Sequence, residues 1–246
     1  MDKNYERAYH ELEEGHFWFR CRRELISKII SSCSKESKIL DVGCSTGILL
    51  DFLSKEGFDA QNLYGVDISD TAIRTARQRG LNNTFQADAQ SFELNQTFDL
   101  LIASDCLEHL KDEKKAISTW FRHLKTNGKL LVFVPAFKSL WSWHDVVNGH
   151  QRRYHKRELV HKVESVHFEV LRSGYWNSFL FIPIWMFRQY QRLFRRQPKS
   201  REGDLKQLPF ANNVFYNILK LEEKLFDSIN LPFGVSVYCI ANKKLN

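Results

Sequence analysis

The 246-residue sequence is poor in cysteine: five, at positions 21, 33, 44, 106 and 239, with no CxxC pair. An odd set without paired spacing supports neither a disulfide framework nor a zinc site, and reads as the reduced thiols of a cytoplasmic protein. Long apolar runs are missing too. The longest, Phe179 to Phe187, is nine residues and contains Pro183, whereas a spanning helix needs ~20. The opening MDKNYERAYHELEEGHFWF has no apolar core of the secretory-signal kind. A P-loop is excluded because no GxxxxGK followed by Ser or Thr occurs. There is no internal repeat and no low-complexity tract. What remains is near the globular average, 43% hydrophobic and 26% charged, with ample length for a core.

The net charge of +7 is unevenly placed. Residues 171–246 hold 12 Lys/Arg against 5 Asp/Glu, while residues 1–170 hold 24 of each. Much of the excess is Arg188, Arg192, Arg195, Arg196, Lys199, Arg201 and Lys206. A uniformly basic nucleic-acid binder does not look like this; a neutral body with a local basic appendage does.

Strand-like and helix-like segments alternate, the pattern of an α/β domain with a mostly parallel sheet. Strands are predicted at 38–42, 62–67, 84–88, 98–104, 129–135, 167–176 and 234–243, and helices at 46–56, 69–79, 111–125 and 156–165. Ser69 is a predicted N-cap, and Asn127-Gly128 a predicted helix stop. Helical segments near 5–14 and 17–32 precede the first strand. Between 177 and 233 the alternation breaks into two amphipathic helices, 178–196 and 211–229, joined by QPKSREGDLKQ, a predicted mobile loop.

The first strand runs into Asp41-Val42-Gly43-Cys44-Ser45-Thr46-Gly47 and then a helix. Strand, glycine-bearing turn and helix bring backbone close to a ligand at a helix N-terminus. The turn is not the GxGxxG of dinucleotide binders. Asp41 just before it would repel a pyrophosphate and suits a cationic or zwitterionic ligand. Asp67 ends the second strand, where a carboxylate can accept from both ribose hydroxyls; Asp88 ends the third, and Ser104 and Asp105 the fourth. All four strands thus deliver polar groups at the ends where doubly wound sheets bind ligands.

The segments ILDVGCSTG, YGVDIS, QADAQ and FDLLIASDCLEHL resemble the successive motifs of class I S-adenosylmethionine-dependent methyltransferases, most closely the ubiquinone/menaquinone-type branch. The flanking HFWFR, PAFKSLWSWHDVVNGHQRRYHKREL and LPFGVSVYCIANK resemble a bacterial subgroup of these enzymes. The resemblance implies a Rossmann-like three-layer α/β sandwich around a seven-stranded, mostly parallel sheet. Its single domain would have N-terminal helices over 1–35, a core over 36–176 and 234–246, and a helical insertion over 177–233. It also implies S-adenosyl-L-methionine as cofactor, with Asp41, Gly43, Cys44 and Gly47 along the methionine part and Asp67 on the ribose. Ile68 would pack on the adenine, Asp88 with Ala89 would hold its amine, and Ser104 would complete the wall. Ser45 stands where the commonest form has glycine.

Methyl transfer from a sulfonium needs alignment, exclusion of water and, for a hydroxyl acceptor, a base. His109 and His150 are the candidate bases, followed by Glu108. Trp18, Trp141, Arg153 and Tyr154 are candidate acceptor contacts. Glu108 and His109 could equally cap a helix, and Asp145 and Arg153 could pair to fix their loop. His144, His150 and His155 lack a Cys or carboxylate cluster to complete a metal site, so no metal is expected. The insertion is expected to roof the site. It is either a lid folded onto the domain or a lid that also touches an anionic membrane surface through 178–206. Both favour a small or lipid-linked acceptor and a protein in the cytoplasm or at the inner face of the membrane. Two alternatives stay open. One is a nucleic-acid methyltransferase, disfavoured because ASDCLEHL replaces the Asn/Asp-Pro-Pro-aromatic motif, so no nucleic-acid partner is expected. The other is a binding module that keeps only the cofactor fold.

Overall fold

The structure is a computed structural model, and it describes residues 12–194 and 209–244. Most of the helix expected at 5–14 and all of QPKSREGDLKQ lie outside the described residues. In chain order the main elements are α1 (Phe17–Ile29), β1 (Ile39–Val42), α2 (Ile48–Lys55), β2 (Leu63–Asp67), α3 (Asp70–Gln78), β3 (Thr84–Gln86) and β4 (Phe98–Ser104). There follow α4 (Glu113–His123), β5 (Leu124–Pro135), α5 (Trp143–Asn148), α6 (Lys156–Glu164), β6 (Phe168–Trp176), α7 (Phe181–Leu193), α8 (Pro209–Leu225) and β7 (Ser236–Lys243).

Among the described residues seven strands form one sheet, ordered β3-β2-β1-β4-β5-β7-β6. β1 to β5 pair in parallel, and β7 runs antiparallel between β5 and β6. The central strands are continuous apolar runs because helices cover both faces of the sheet. On one face Leu25, Leu50, Ile73 and Leu219 of α1, α2, α3 and α8 pack on Ile39, Leu100 and Leu131. On the other, Trp120 of α4 and Leu159 of α6 pack on Leu40, Leu101 and Val132. This is the expected Rossmann-like sandwich, mostly parallel with one antiparallel hairpin. Its order reverses between β1 and β4, so the parallel strands open a crevice at their carboxyl ends.

Ser69 caps α3 as expected, its hydroxyl accepting from the Ala72 amide at 3.1 Å. Asn127-Gly128 does not stop α4. The helix ends at His123, and the next residue already pairs with Phe98. Register then skips from Phe98–Leu124 to Leu100–Lys129, and Asn127 takes φ +59° within that irregularity. A helix stop and a strand bulge demand the same left-handed residue chemistry, so the dipeptide signalled one and performs the other. The loop expected after β5 contains α5, started by Asp145, whose Oδ2 accepts from the Ser142 amide at 2.8 Å.

Candidate active site

The turn after β1 makes three departures from ordinary backbone: Gly43, Ser45 and Gly47 have φ of +79°, +49° and +76°. Ser45 thus adopts the conformation that favours glycine, and its side chain has a use there. Its hydroxyl donates to Glu13 Oε2 at 2.9 Å, and its amide donates to Asp67 Oδ2 at 2.9 Å. Asp67 Oδ1 accepts from the Ser69 amide at 2.8 Å. The Asp67 carboxylate is therefore held by two turns where it lines the cleft. Asp41 is buried beside it. Burial, with Asp67 and Glu13 adding repulsion, pushes the Asp41 carboxyl up to about 8. Glu13 is pushed up to about 7, by burial first and by Asp67, against the lowering effect of the Ser45 hydroxyl. Three carboxyl groups at one wall suit a ligand that brings positive charge.

These groups line a cleft of about 1110 Å3 above the carboxyl ends of the strands. Asp41, Gly43, Cys44, Asp67, Ile68, Asp88, Ala89 and Ser104 all lie on its wall. Ile68 is 72% exposed, an apolar face set in the cleft where a flat ring can stack. Asp88 lies two residues beyond β3 rather than within it, its Oδ1 accepting from the Gln90 amide at 2.9 Å. Gly47 is the exception among the expected cofactor residues, since it is not on the wall. A Cβ there would stand 2.4 Å from Leu81 Cδ1 and 3.1 Å from Ala76 Cβ. Its role is close packing of the turn on α3. Gly47→Ala, strained in both φ and space, is expected to cost about 1–3 kcal/mol of folding stability, read as a lowered urea midpoint; an unchanged midpoint would contradict the packing role.

The other half of the cleft is built on α1, the end of β4 and α5. Arg22 is only 3% exposed. It donates to Ser104 Oγ at 3.1 Å, Asp105 Oδ2 at 3.2 Å and Ser236 Oγ at 2.7 Å. Its guanidinium also lies 4.3 Å from the Phe133 ring centroid and 4.5 Å from that of Trp176. Each contact suits a planar cation removed from water. Arg22 thereby ties the first helix to the strands β4 and β7. Asp105, Phe137 and Asn177, each just past the end of β4, β5 or β6, have φ of +53°, +50° and +60°. Such backbone costs of order 1–3 kcal/mol per residue and clusters where chains turn sharply into sites.

All three candidate catalytic residues reach the cleft. Glu108 and His109 lie on the helical turn Leu107–His109. His150 follows α5, and the Gln151 amide donates to the Glu108 carbonyl at 2.8 Å, which brings the two segments together. The His109 and His150 rings meet edge to face with centroids 4.7 Å apart. Burial holds the His109 imidazolium down to about 4. His150 Nδ1 faces Asp145 Oδ1 at 2.8 Å. Asp145 also accepts from Arg153 Nε at 2.7 Å and Arg153 Nη2 at 3.0 Å. These contacts hold its carboxyl well below the usual range despite burial. The Asp145–Arg153 pair that the sequence allowed is therefore present and orients His150.

Of the candidate acceptor contacts, Trp18 and Arg153 line the cleft and Trp141 and Tyr154 do not. Tyr154 is buried, and its hydroxyl donates to Glu113 Oε1 at 2.8 Å. The Trp141 carbonyl accepts from Arg192 Nη2 at 3.0 Å, tying the loop to α7. Glu13 and Arg22 line the cleft without having been singled out from the sequence. Their partners lie far along the chain, and no local pattern marks them. The roof comes from the insertion: Leu180, Pro183, Ile184 and Phe187, with Phe215 of α8. Asn212 Oδ1 of α8 accepts from the Phe17 amide at 2.7 Å, and Tyr216 bridges to Glu24 at 3.0 Å, which docks α8 on α1.

A doubly wound sheet closed by an antiparallel last strand, with acids at the strand ends, defines a nucleoside-binding crevice of the methyltransferase kind. The chain belongs to the family described as methyltransferase domain, whose model matches residues 15–173. It is 25% identical over 209 residues to malonyl-[acyl-carrier protein] O-methyltransferase of Bacillus cereus, covering 77% of this chain and 74% of that one. It is 29% identical over 112 residues to ubiquinone biosynthesis O-methyltransferase of Rickettsia canadensis, covering 44% of this chain and 48% of the relative. The chain thus spans about half the length of the ubiquinone relatives it matches. Phosphoethanolamine N-methyltransferase 2 of Haemonchus contortus, solved in complex with S-adenosyl-L-methionine, has the same fold at a TM-score of 0.56 and 18% identity, covering 90% of this chain and 52% of that one.

Proposed function

We propose that this protein transfers a methyl group from S-adenosylmethionine to an oxygen of a small or lipid-linked acceptor. The observation that carries the reading is one cleft with two chemically different halves. The acidic half around Asp41, Asp67 and Asp88 suits an adenosyl sulfonium with its ammonium group. The other half joins His150 and its Asp145 partner to an aromatic and aliphatic roof.

Asp67 would accept from the ribose hydroxyls, Ile68 would stack on the adenine, and Glu13 and Asp41 would face the cationic methionine end. The displacement is in line: the acceptor oxygen attacks the methyl carbon, the carbon–sulfur bond breaks, and the electron pair stays on sulfur. With Nδ1–H donated to Asp145, His150 presents Nε2 to the cleft and can take the hydroxyl proton. Arg22 and the apolar roof limit water around the reacting atoms.

Helix α7 supports a lipid-linked acceptor. No residue of this helix is buried. Phe187 turns to the cleft, while Ile182, Met186 and Leu193 are 51%, 60% and 77% exposed. A helix that exposes these apolar side chains and is followed in sequence by Arg195, Arg196, Lys199 and Arg201 suits the surface of an anionic bilayer. No helix among the described residues is long and apolar enough to cross a membrane.

The test is incubation of the protein with labelled S-adenosylmethionine and a cell extract, followed by separation of lipid and aqueous fractions. Label in the lipid fraction is expected; no transfer to either fraction overturns the reading. Met186→Asp with Leu193→Asp should lower co-sedimentation with anionic vesicles about 100-fold, since each side chain contributes about 1.5–3 kcal/mol when buried. Cofactor affinity should be unchanged, and equal sedimentation would remove the membrane contact.

A further inference from the structure

The sequence offered three histidines without a carboxylate to complete a metal site. The fold supplies the carboxylate from elsewhere, on the turn after β4. One ligand atom each from Glu108, His109 and His150 lie within 4.8 Å of one another. Around a cation bound at ~2.0–2.1 Å, tetrahedral ligand atoms stand roughly 3.4 Å apart. Small side-chain rotations toward a common centre close that gap.

Two further observations point to a cation. Glu108 is 0% exposed, yet neither carboxyl oxygen has a hydrogen-bond partner from another residue. A buried carboxyl left without donors is costly, and a cation in the adjoining cleft would satisfy it. The imidazoles are also held from behind, as ligating histidines are. His150 Nδ1 faces Asp145 at 2.8 Å. Asp145 is itself fixed by Arg153 and by the Ser142 amide. His109 meets the Asn148 backbone carbonyl. Each ring can therefore keep one nitrogen for a ligand bond.

We propose that Glu108, His109 and His150 bind one divalent first-row transition-metal ion, its remaining positions open to the cleft. Two imidazoles and one carboxylate suit zinc, cobalt, manganese or iron better than magnesium, which prefers oxygen. The cation's role rests on the methyl-transfer reading. It would take the acceptor's hydroxyl oxygen as a ligand, acidify it, and hold it in line with the methyl group while the proton leaves to water. His150 Nε2 is then a ligand rather than the base.

The experiment uses the full chain stripped with a chelator and titrated with Zn2+ by calorimetry and with Co2+ by visible absorption. One cation per chain is expected, with ligand-field bands of a nitrogen- and oxygen-ligated site. Glu108→Gln, which preserves shape, and His150→Ala should each weaken binding tenfold or more. Asp145→Asn should weaken it about 10–100-fold, as loss of an orienting partner does. Thermal unfolding of each variant verifies that it is folded. Absence of saturable binding, or affinity unchanged in both Glu108→Gln and His150→Ala, overturns the proposal. S-adenosylmethionine affinity measured on the same metal-free protein separates the two readings. Cofactor bound without cation refutes only the metal site, and cation bound without cofactor refutes only the methyl-transfer reading.

Discussion

Asp67→Ala lowers the affinity for S-adenosylmethionine by about 100-fold or more. A hydrogen bond to a charged group contributes about 1.5–3 kcal/mol, and in the proposed mode of binding this carboxylate accepts from the ribose hydroxyls. The loss has a second source. The same carboxylate holds the Ser45 and Ser69 amides at 2.9 and 2.8 Å, so its removal loosens the turns after β1 and β2. An opposing effect is smaller: Asp67 helps raise the carboxyls of Asp41 and Glu13, and without it both ionise more readily. Calorimetry with the cofactor and with its demethylated product measures the balance. Affinity within a few-fold of the parent protein would mean that the sugar is held elsewhere.

The second large effect is on pH. The carboxyls of Asp41 and Glu13 are raised to about 8 and about 7, first by burial, so the cofactor-free protein carries protons on them near neutrality. A ligand bearing an ammonium and a sulfonium favours their ionised forms, and binding expels those protons. Cofactor affinity is therefore expected to rise between about pH 6 and pH 8, by as much as tenfold per unit for each group that ionises. Proton release is read by calorimetry in buffers of different ionisation enthalpy. The sign for folding is opposite. An unfolded carboxyl titrates near 4 (roughly), so between there and about 8 the folded chain binds more protons than the unfolded one. Stability of the cofactor-free protein then falls as pH rises through that window, and saturating cofactor flattens the fall. A flat affinity profile with no proton release would show that binding leaves the protonation of these carboxyls unchanged.

What the sequence revealed depended on whether the information was local. The apolar runs of β1, β2 and β4, the Ser69 cap and the acids at the strand ends are short-range patterns, and they located the acidic half of the cleft. Asn127-Gly128 misled because its left-handed geometry serves a bulge as well as a helix end. α5 has six residues, too few for a helical period to rise above its surroundings. Gly47 looked like a ligand contact because the turn is glycine-rich, but whether a glycine faces ligand or a neighbouring helix depends on Leu81 and Ala76 beyond it. Trp141 and Tyr154 belong to a segment that reaches the cleft through other residues, and they do not line it themselves. Glu13, Arg22 and the meeting of Glu108 with His150 are products of tertiary structure. Their partners lie on other elements, and only the folded chain joins them.

The position of β7 has a consequence for how the molecule is made. This strand is the last in chain order among the described elements, yet it sits inside the sheet, hydrogen-bonded to β5 on one side and β6 on the other. Until the ribosome has delivered it, β5 presents an open edge of apolar side chains and unpaired amides, an invitation to intermolecular association. Ser236, at the start of that strand, is also one of the groups that anchor Arg22. A nascent chain therefore lacks part of the clamp holding its own first helix, and the binding crevice matures only after β7 has been made.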